Sequence, residues 1–119
     1  MVRERILKAV LVVIGLLFAA AVYPMTMFFA KQPGLAMMLS VYATLGVFLL
    51  IASRRPSAHR SLIAFTAWSS LAHGGLMGAQ AYRGVIERTE LTGVAGFLVI
   101  GLALVALAPA PEAATAPAR

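Results

Sequence analysis

The sequence contains no cysteine and only four acidic residues among its 119 positions. Without cysteine the chain forms no disulfide, holds no metal through a thiolate and has no cysteine nucleophile. The acidic residues lie near the termini or between the apolar runs described below: Glu4, Glu87, Glu90 and Glu112. Charged residues make up 12% of the chain, about half of the fraction of about 25% that is usual in soluble domains. This composition predicts a membrane protein.

The sequence also lacks the motifs of the common catalytic and nucleotide-binding sites. It has no Gly-rich phosphate-binding loop, no zinc-binding motif and no nucleophile elbow. Ser69 and Ser70 precede His73 closely, but serine–histidine catalysis also needs a group that orients the imidazole and an oxyanion hole. In a continuous helix the backbone amides are already hydrogen-bonded, so they are unavailable for an oxyanion hole. We therefore predict that the protein is not an enzyme.

Apolar residues are abundant, at 61% of the chain, and they are grouped in four runs without formal charge if His73 is neutral. The runs cover residues 9–30, 35–53, 61–82 and 91–108. A spanning helix needs about 20 such residues, because each adds about 1.5 Å toward about 30 Å of hydrocarbon. Short connections force neighbouring helices to be antiparallel. We predict an all-α, polytopic membrane protein, an up-and-down four-helix transmembrane bundle over residues 1–108. A disordered Pro/Ala-rich tail is expected at 109–119.

Basic residues are distributed unevenly between the two ends of the predicted helices. With four spans, seven of them lie on the side of the two termini: Arg3, Arg5, Lys8, Arg54, Arg55, Arg60 and Arg119. Only Lys31, Arg83 and Arg88 lie on the other side. The positive-inside rule then places both termini in the cytoplasm. The net charge of +6 is thus explained by orientation and by contact with anionic lipid, and we predict no nucleic-acid partner.

The first run has a second interpretation as a secretory signal peptide. Basic residues precede it, and Ala19, Ala20 and Ala21 offer the small residues of a cleavage site. However, the run is longer than the usual 7–15 apolar residues of a signal peptide and continues past that site. We expect it to remain as a span, with cleavage as the alternative.

A polar stripe distinguishes the third run from the others. On a helix with about 100° between residues, six side chains fall within roughly 100° of one another: Thr66, Ser69, Ser70, His73, Met77 and Gln80. Facing lipid, these polar groups would lack hydrogen-bond partners, so we expect the stripe to face other helices or a small wet cavity. For His73 three roles stay open: a buried neutral imidazole that packs, a proton relay or ligand-binding group, and a haem or metal ligand. The third role is disfavoured because metal sites need several ligands, and the other histidine, His59, lies in a loop. We predict no metal and no cofactor.

Small residues run beside this stripe. Gly74 and Gly78 form a GxxxG pair, a spacing that lets two helix backbones approach closely in a membrane. We predict a close helix crossing at these two glycines, either within the chain or between copies of it.

The chain shares features with two known families. In length and predicted span number the chain is similar to the small multidrug-resistance transporters, which exchange protons for cations through a carboxylate in the first helix. The first run here offers no acidic residue, so the similarity fails at the functional residue. By contrast, PGLAMMLSVYATLGVFLL (33–50) and SLIAFTAWSSLAHGGLMGAQAYRG (61–84) resemble an uncharacterised family of short bacterial four-span proteins, a domain of unknown function. The resemblance covers residues 3–109 and implies a bacterial inner-membrane protein, without an assigned activity.

Two functions are consistent with these features. The first is a small structural or accessory membrane protein that acts through helix packing, with lipid, a second copy or a larger membrane complex as its partner. The second is a small-molecule binding or transport module that uses Thr66, Ser69, Ser70, His73 and Gln80. Close packing beside His73 favours the first function, and a hydrated cleft there favours the second.

Overall fold

The structure, a computed structural model, describes residues 2–109. All regular elements in this range are helical, which confirms the all-α prediction. The helices are α1 (Val2–Ala19), α2 (Val22–Met27), α3 (Pro33–Ala52), α4 (Arg60–Tyr82) and α5 (Leu91–Ala106). Short 3-10 turns at Pro56–His59 and Arg88–Glu90 precede α4 and α5. The expected disordered tail, apart from Pro109, lies outside the described residues.

The chain divides into two units, of which the first is Met1–Ala58. Its core is formed by one face of α1, where four apolar side chains recur at helical spacing: Leu7, Leu11, Ile14 and Phe18. This face packs against α3, and the Phe18 and Tyr42 rings meet edge to face with centroids 5.2 Å apart. Gly15 faces Leu50, whereas Phe18 and Ala19 face Gly46. Later residues of α1 therefore meet earlier residues of α3, and the two helices are antiparallel.

The first apolar run is interrupted at Ala20 and Ala21, which separate α1 from α2. Pro24 explains the interruption, because it has no backbone N–H to donate to the carbonyl of Ala20 and its ring would clash with that carbonyl in a regular helix. The Ala20 carbonyl instead accepts a hydrogen bond from the Tyr23 N–H at 3.1 Å. The Ala21 N–H likewise bonds three residues back, to Phe18, at 2.9 Å. The proline thus tightens the backbone before it and does not end the helical run.

The second unit is the α4–α5 hairpin within His59–Arg119. The turn after α4 depends on Gly84, whose φ of 74° lies in the left-handed region that glycine tolerates best. The Gly84 N–H bonds the Ala81 carbonyl at 3.2 Å, and the Val85 N–H bonds the Gln80 carbonyl at 2.8 Å, the pattern of a Schellman motif. At the opposite end, the Arg60 Nε–H donates to the Pro109 carbonyl at 3.0 Å. The hairpin is therefore fastened at its turn and at its open end.

Three segments are long and apolar enough to cross a membrane: Val2–Met27, Pro33–Ala52 and Arg88–Ala106. The four spans predicted from the sequence also include residues 61–82, which lie inside α4. That helix has the length of a span, at 23 residues, but its serines, histidine and glutamine make it less apolar than the other three. The structure thus supports a membrane protein with at least three candidate spans.

Candidate functional site

The side of α4 that packs against α5 contains part of the polar stripe. Six residues of α4 are buried: Ile63, Thr66, Ala67, Ser70, Gly74 and Ala81. Thr66 is 0% exposed and Ser70 is 1% exposed. Ser69, His73, Met77 and Gln80 are half-buried and lie beside this face. The stripe therefore borders a helix–helix contact, and two of its three hydroxyl side chains, those of Thr66 and Ser70, lie inside that contact.

Two hydroxyl groups of the stripe bond to the backbone of α4 itself. The Thr66 hydroxyl donates to the Leu62 carbonyl at 2.9 Å, and the Ser69 hydroxyl donates to the Thr66 carbonyl at 3.3 Å. Serine and threonine commonly make this bond one turn back in membrane helices. No fully buried side-chain nitrogen or oxygen in the described residues lacks a hydrogen-bond partner. Thr66 and Ser69 thus satisfy their hydroxyl groups without a ligand.

His73 packs against the one aromatic residue of α5. Its imidazole and the ring of Phe97 have centroids 4.3 Å apart and planes inclined by 44°. The sequence does not predict a contact between Phe97 and His73. The only available indication was that Phe97 is the sole aromatic residue of its apolar run, which does not reveal its partner.

The far end of the stripe also meets α5. The Cε atom of Met77 lies 3.3 Å from the position that a Cβ atom on Gly93 would occupy. Met77 therefore fills space that a larger residue at position 93 would need. Gln80 is half-buried, and its backbone carbonyl closes the turn described above. The structure brings the middle of the stripe against Phe97 and its end against Gly93.

A model of the family of unknown function DUF6632 matches residues 2–118, which is nearly the whole chain. The chain belongs to this family. No curated protein and no solved structure matches it. Membership of DUF6632 agrees with the resemblance to an uncharacterised family, and it assigns no activity to the residues of the stripe.

In this DUF6632 chain, no group of three or more histidine, cysteine or acidic side chains within residues 2–109 is arranged to hold a metal ion. His73 is the only histidine of the stripe, and the thioether of Met77 is a ligand chiefly for copper(I). Within residues 2–109, His73 therefore packs against Phe97 and is not part of a cluster of histidine, cysteine or acidic side chains that could hold a metal ion.

The two glycines of the GxxxG pair make unequal contacts. A Cβ atom on Gly74 would lie 3.2 Å from the Cβ atom of Phe97 and from Cδ2 of Leu98, whereas one on Gly78 would meet Cγ1 of Val94 at 3.6 Å. The first distance is tighter than an ordinary contact and the second is ordinary. The close approach is thus at Gly74, next to His73.

We expect Gly74→Ala and Gly78→Ala to differ in stability. Gly74→Ala should lower the free energy of unfolding by about 1 kcal/mol, because crowding against Phe97 outweighs the gain in helix propensity. Gly78→Ala should be neutral or stabilising by up to about 1 kcal/mol, since its methyl group has room. Thermal unfolding of the two purified variants in one detergent, followed by circular dichroism, tests this. Equal effects of the two substitutions would contradict the geometry.

Two closer approaches were not predicted from the sequence. A Cβ atom on Gly101 would lie 2.5 Å from Cγ of Leu71, and one on Gly46 would lie 2.6 Å from the carbonyl oxygen of Gly15. Gly15 and Ala19 have the small-xxx-small spacing that indicates a helix crossing, and this indication was available in the sequence. Gly101 has no small partner four residues away on either side, so its importance depends on which residue of α4 faces it.

Proposed function

We propose that the protein is a four-span integral protein of the bacterial inner membrane with both termini in the cytoplasm. The three apolar segments support this, as does the length of α4, which at about 1.5 Å per residue matches the hydrocarbon thickness. Its exposed side includes Phe65, Trp68 and Leu76, which suit contact with lipid. The uneven distribution of basic residues supports the orientation. Short connections between the helices support an up-and-down four-helix bundle.

We propose further that the protein has a structural or accessory role exerted through helix packing. The observation that carries this proposal is the use of the stripe inside the α4–α5 hairpin. Thr66 and Ser70 are buried, the Thr66 and Ser69 hydroxyl groups bond their own helix, and His73 packs on Phe97. Side chains engaged in this way stabilise the contact between α4 and α5, and fewer of their polar groups remain to bind a ligand. The partner on this proposal is lipid together with a second copy or a larger membrane complex, and no nucleic acid and no catalysed reaction are involved.

One observation favours the alternative of a binding or transport module. His73, Ser69 and Gln80 are half-buried and not fully enclosed, so each presents part of its surface outside the α4–α5 contact. A small polar molecule or a proton would have access to the imidazole on that side. This alternative predicts that the imidazole nitrogens matter, whereas the packing role predicts that the ring matters.

Substitutions of His73 by alanine and by phenylalanine separate the two functions. If the ring packs, His73→Ala should lower the free energy of unfolding by about 1–3 kcal/mol, and His73→Phe should recover most of that loss because a ring remains against Phe97. Thermal unfolding in detergent at neutral pH measures both. Ser61→Ala, at an exposed position on the same helix, is the control and should change stability by less than about 0.5 kcal/mol.

The same preparations show whether the wild type carries a bound molecule. An absorption spectrum and a mass spectrum of the native protein are recorded for wild type and for His73→Phe. A small molecule that is present in wild type and lost in a stably folded His73→Phe would establish the binding role and contradict the packing role. If wild type and His73→Phe carry the same bound molecules, or none, and phenylalanine recovers the stability, the packing role is supported.

A further inference from the structure

Five basic residues meet at one end of the α1–α3 hairpin. Because α1 and α3 are antiparallel, with Gly15 beside Gly46 and Leu50, the start of α1 lies at the same end as the residues that follow α3. Arg3, Arg5 and Lys8 are on α1, and Arg54 and Arg55 follow α3 after its C-cap residue Ser53. The arginines are exposed and Lys8 is half-buried. Glu4 is the one acidic residue at this end, and Lys31 is the one charged residue near the other end of the hairpin.

An apolar groove begins at Ala9, which directly follows Lys8 in α1. It has a volume of about 220 Å³ and is lined by Ala9, Val10, Val13 and Ile14. Of these residues Ile14 is buried, whereas Val13 is 64% exposed. No polar residue lines the groove, so a hydrocarbon chain fits its chemistry and a polar solute does not.

Arg3 and the groove lie on the same side of α1. Arg3 precedes Val10 by seven residues, which is almost two helical turns, so the two side chains differ by only about 20° around the helix axis. The axial distance between them is about 10 Å. The exposed residue Ile6 lies between them on this side. An amphiphile with an anionic head and an apolar chain would thus span from Arg3 to the groove along one face.

We infer that this end of the hairpin binds an anionic phospholipid, with its phosphate at Arg3, Arg54 and Arg55 and an acyl chain in the groove of Ala9, Val10, Val13 and Ile14. The inference rests on the proposed membrane insertion of α1 and α3. Charge complementarity selects the anionic headgroup, because basic residues near an anionic lipid surface each favour binding. The apolar lining selects a lipid over free phosphate, which would gain nothing from the groove.

Native mass spectrometry of the full chain tests the inference. Membranes are first extracted with alkaline carbonate, which leaves integral proteins in the pellet, and the chain is then purified in a non-ionic detergent. It is mixed with equal amounts of phosphatidylglycerol and phosphatidylcholine that have identical acyl chains, and the lipid retained on the protein is counted. We expect phosphatidylglycerol to be retained about tenfold over phosphatidylcholine, and millimolar inorganic phosphate not to displace it.

Matched variants distinguish binding of the lipid headgroup from binding of its acyl chain. The pair Arg54→Gln and Arg55→Gln should abolish the roughly tenfold preference for phosphatidylglycerol, since each basic residue contributes about fivefold and the two together about 25-fold. Lys31→Gln at the other end should not change the preference. Val13→Phe, which fills the groove, should reduce retention of both lipids. Val47→Phe, at an exposed valine of α3, is its control and should leave retention unchanged.

The outcomes distinguish this inference from the proposed function. If the chain is removed from membranes by carbonate, the proposed membrane insertion fails and the lipid site fails with it. If the chain stays with the membrane but retains both lipids equally, or if phosphate displaces the lipid, the lipid site alone is wrong. If Val47→Phe lowers lipid retention as much as Val13→Phe does, the acyl chain of the lipid does not lie in the groove.

Discussion

Replacing Gly46 with alanine is expected to destabilise the α1–α3 hairpin by about 3 kcal/mol or more. The added Cβ atom would overlap the backbone nitrogen of Ala19 and would lie 2.6 Å from the carbonyl oxygen of Gly15. Both are backbone atoms of α1, so neither can rotate away, and relief requires the two helices to separate. Crowding in a packed core costs about 1–3 kcal/mol and occasionally more. The gain of about 1 kcal/mol in helix propensity from glycine to alanine is too small to offset it.

The measurement is unfolding of purified Gly46→Ala and wild type in detergent, followed by circular dichroism. Gly34→Ala is a control in the same helix, because no heavy atom lies within 4 Å of its added Cβ atom. That variant should be neutral or slightly more stable than wild type. If Gly46→Ala unfolds at the same temperature as Gly34→Ala, then α1 and α3 do not approach each other as closely as they do here.

The helices themselves follow well from the sequence. The run 35–53 and the helix Pro33–Ala52 nearly coincide, as do the run 61–82 and Arg60–Tyr82. The reason is that these apolar runs are bordered by segments that contain proline, glycine or arginine. The backbone leaves the helix at these borders. The start of α1 differs, because the helix begins at Val2 and not at the first uncharged residue. Arg, Glu, Lys and Leu are strong helix formers, and charge marks the limit of the hydrocarbon and not the limit of the helix.

The contacts between helices follow less well, because they depend on rotation about each helix axis. The polar stripe gave the approximate face of α4, and Thr66, Ser70 and Gly74 are buried there. The stripe could not show that Phe97 would meet His73, since α5 is apolar all round and offers no preferred face. For the same reason Gly101 could not be ranked above Gly93 or Gly96. Such ranking needs the register between two helices, which a single apolar sequence does not contain.

Replacing Gly101 with alanine is expected to destabilise the α4–α5 hairpin by about 1–3 kcal/mol. The added Cβ atom would lie 2.5 Å from Cγ of Leu71 and 2.9 Å from the carbonyl oxygen of Ala67. The Leu71 side chain can change rotamer, unlike the backbone atoms that face Gly46, so the loss should be smaller than for Gly46→Ala. Gly96→Ala is the matched control in α5, because its added Cβ atom meets nothing within 4 Å.

A double-mutant cycle shows whether Leu71 causes this loss. Leu71→Ala removes the atoms that would crowd the new methyl group, so Gly101→Ala should cost less in that background than in wild type. The expected coupling is about 1 kcal/mol or more in favour of the double variant, in the range that contacting residues show. Additive losses would mean that the Ala67 carbonyl, and not Leu71, limits position 101. In that case the close approach of α4 and α5 is a backbone contact like the one between α1 and α3 at Gly46, and position 101 of the hairpin that contains His73 tolerates no side chain.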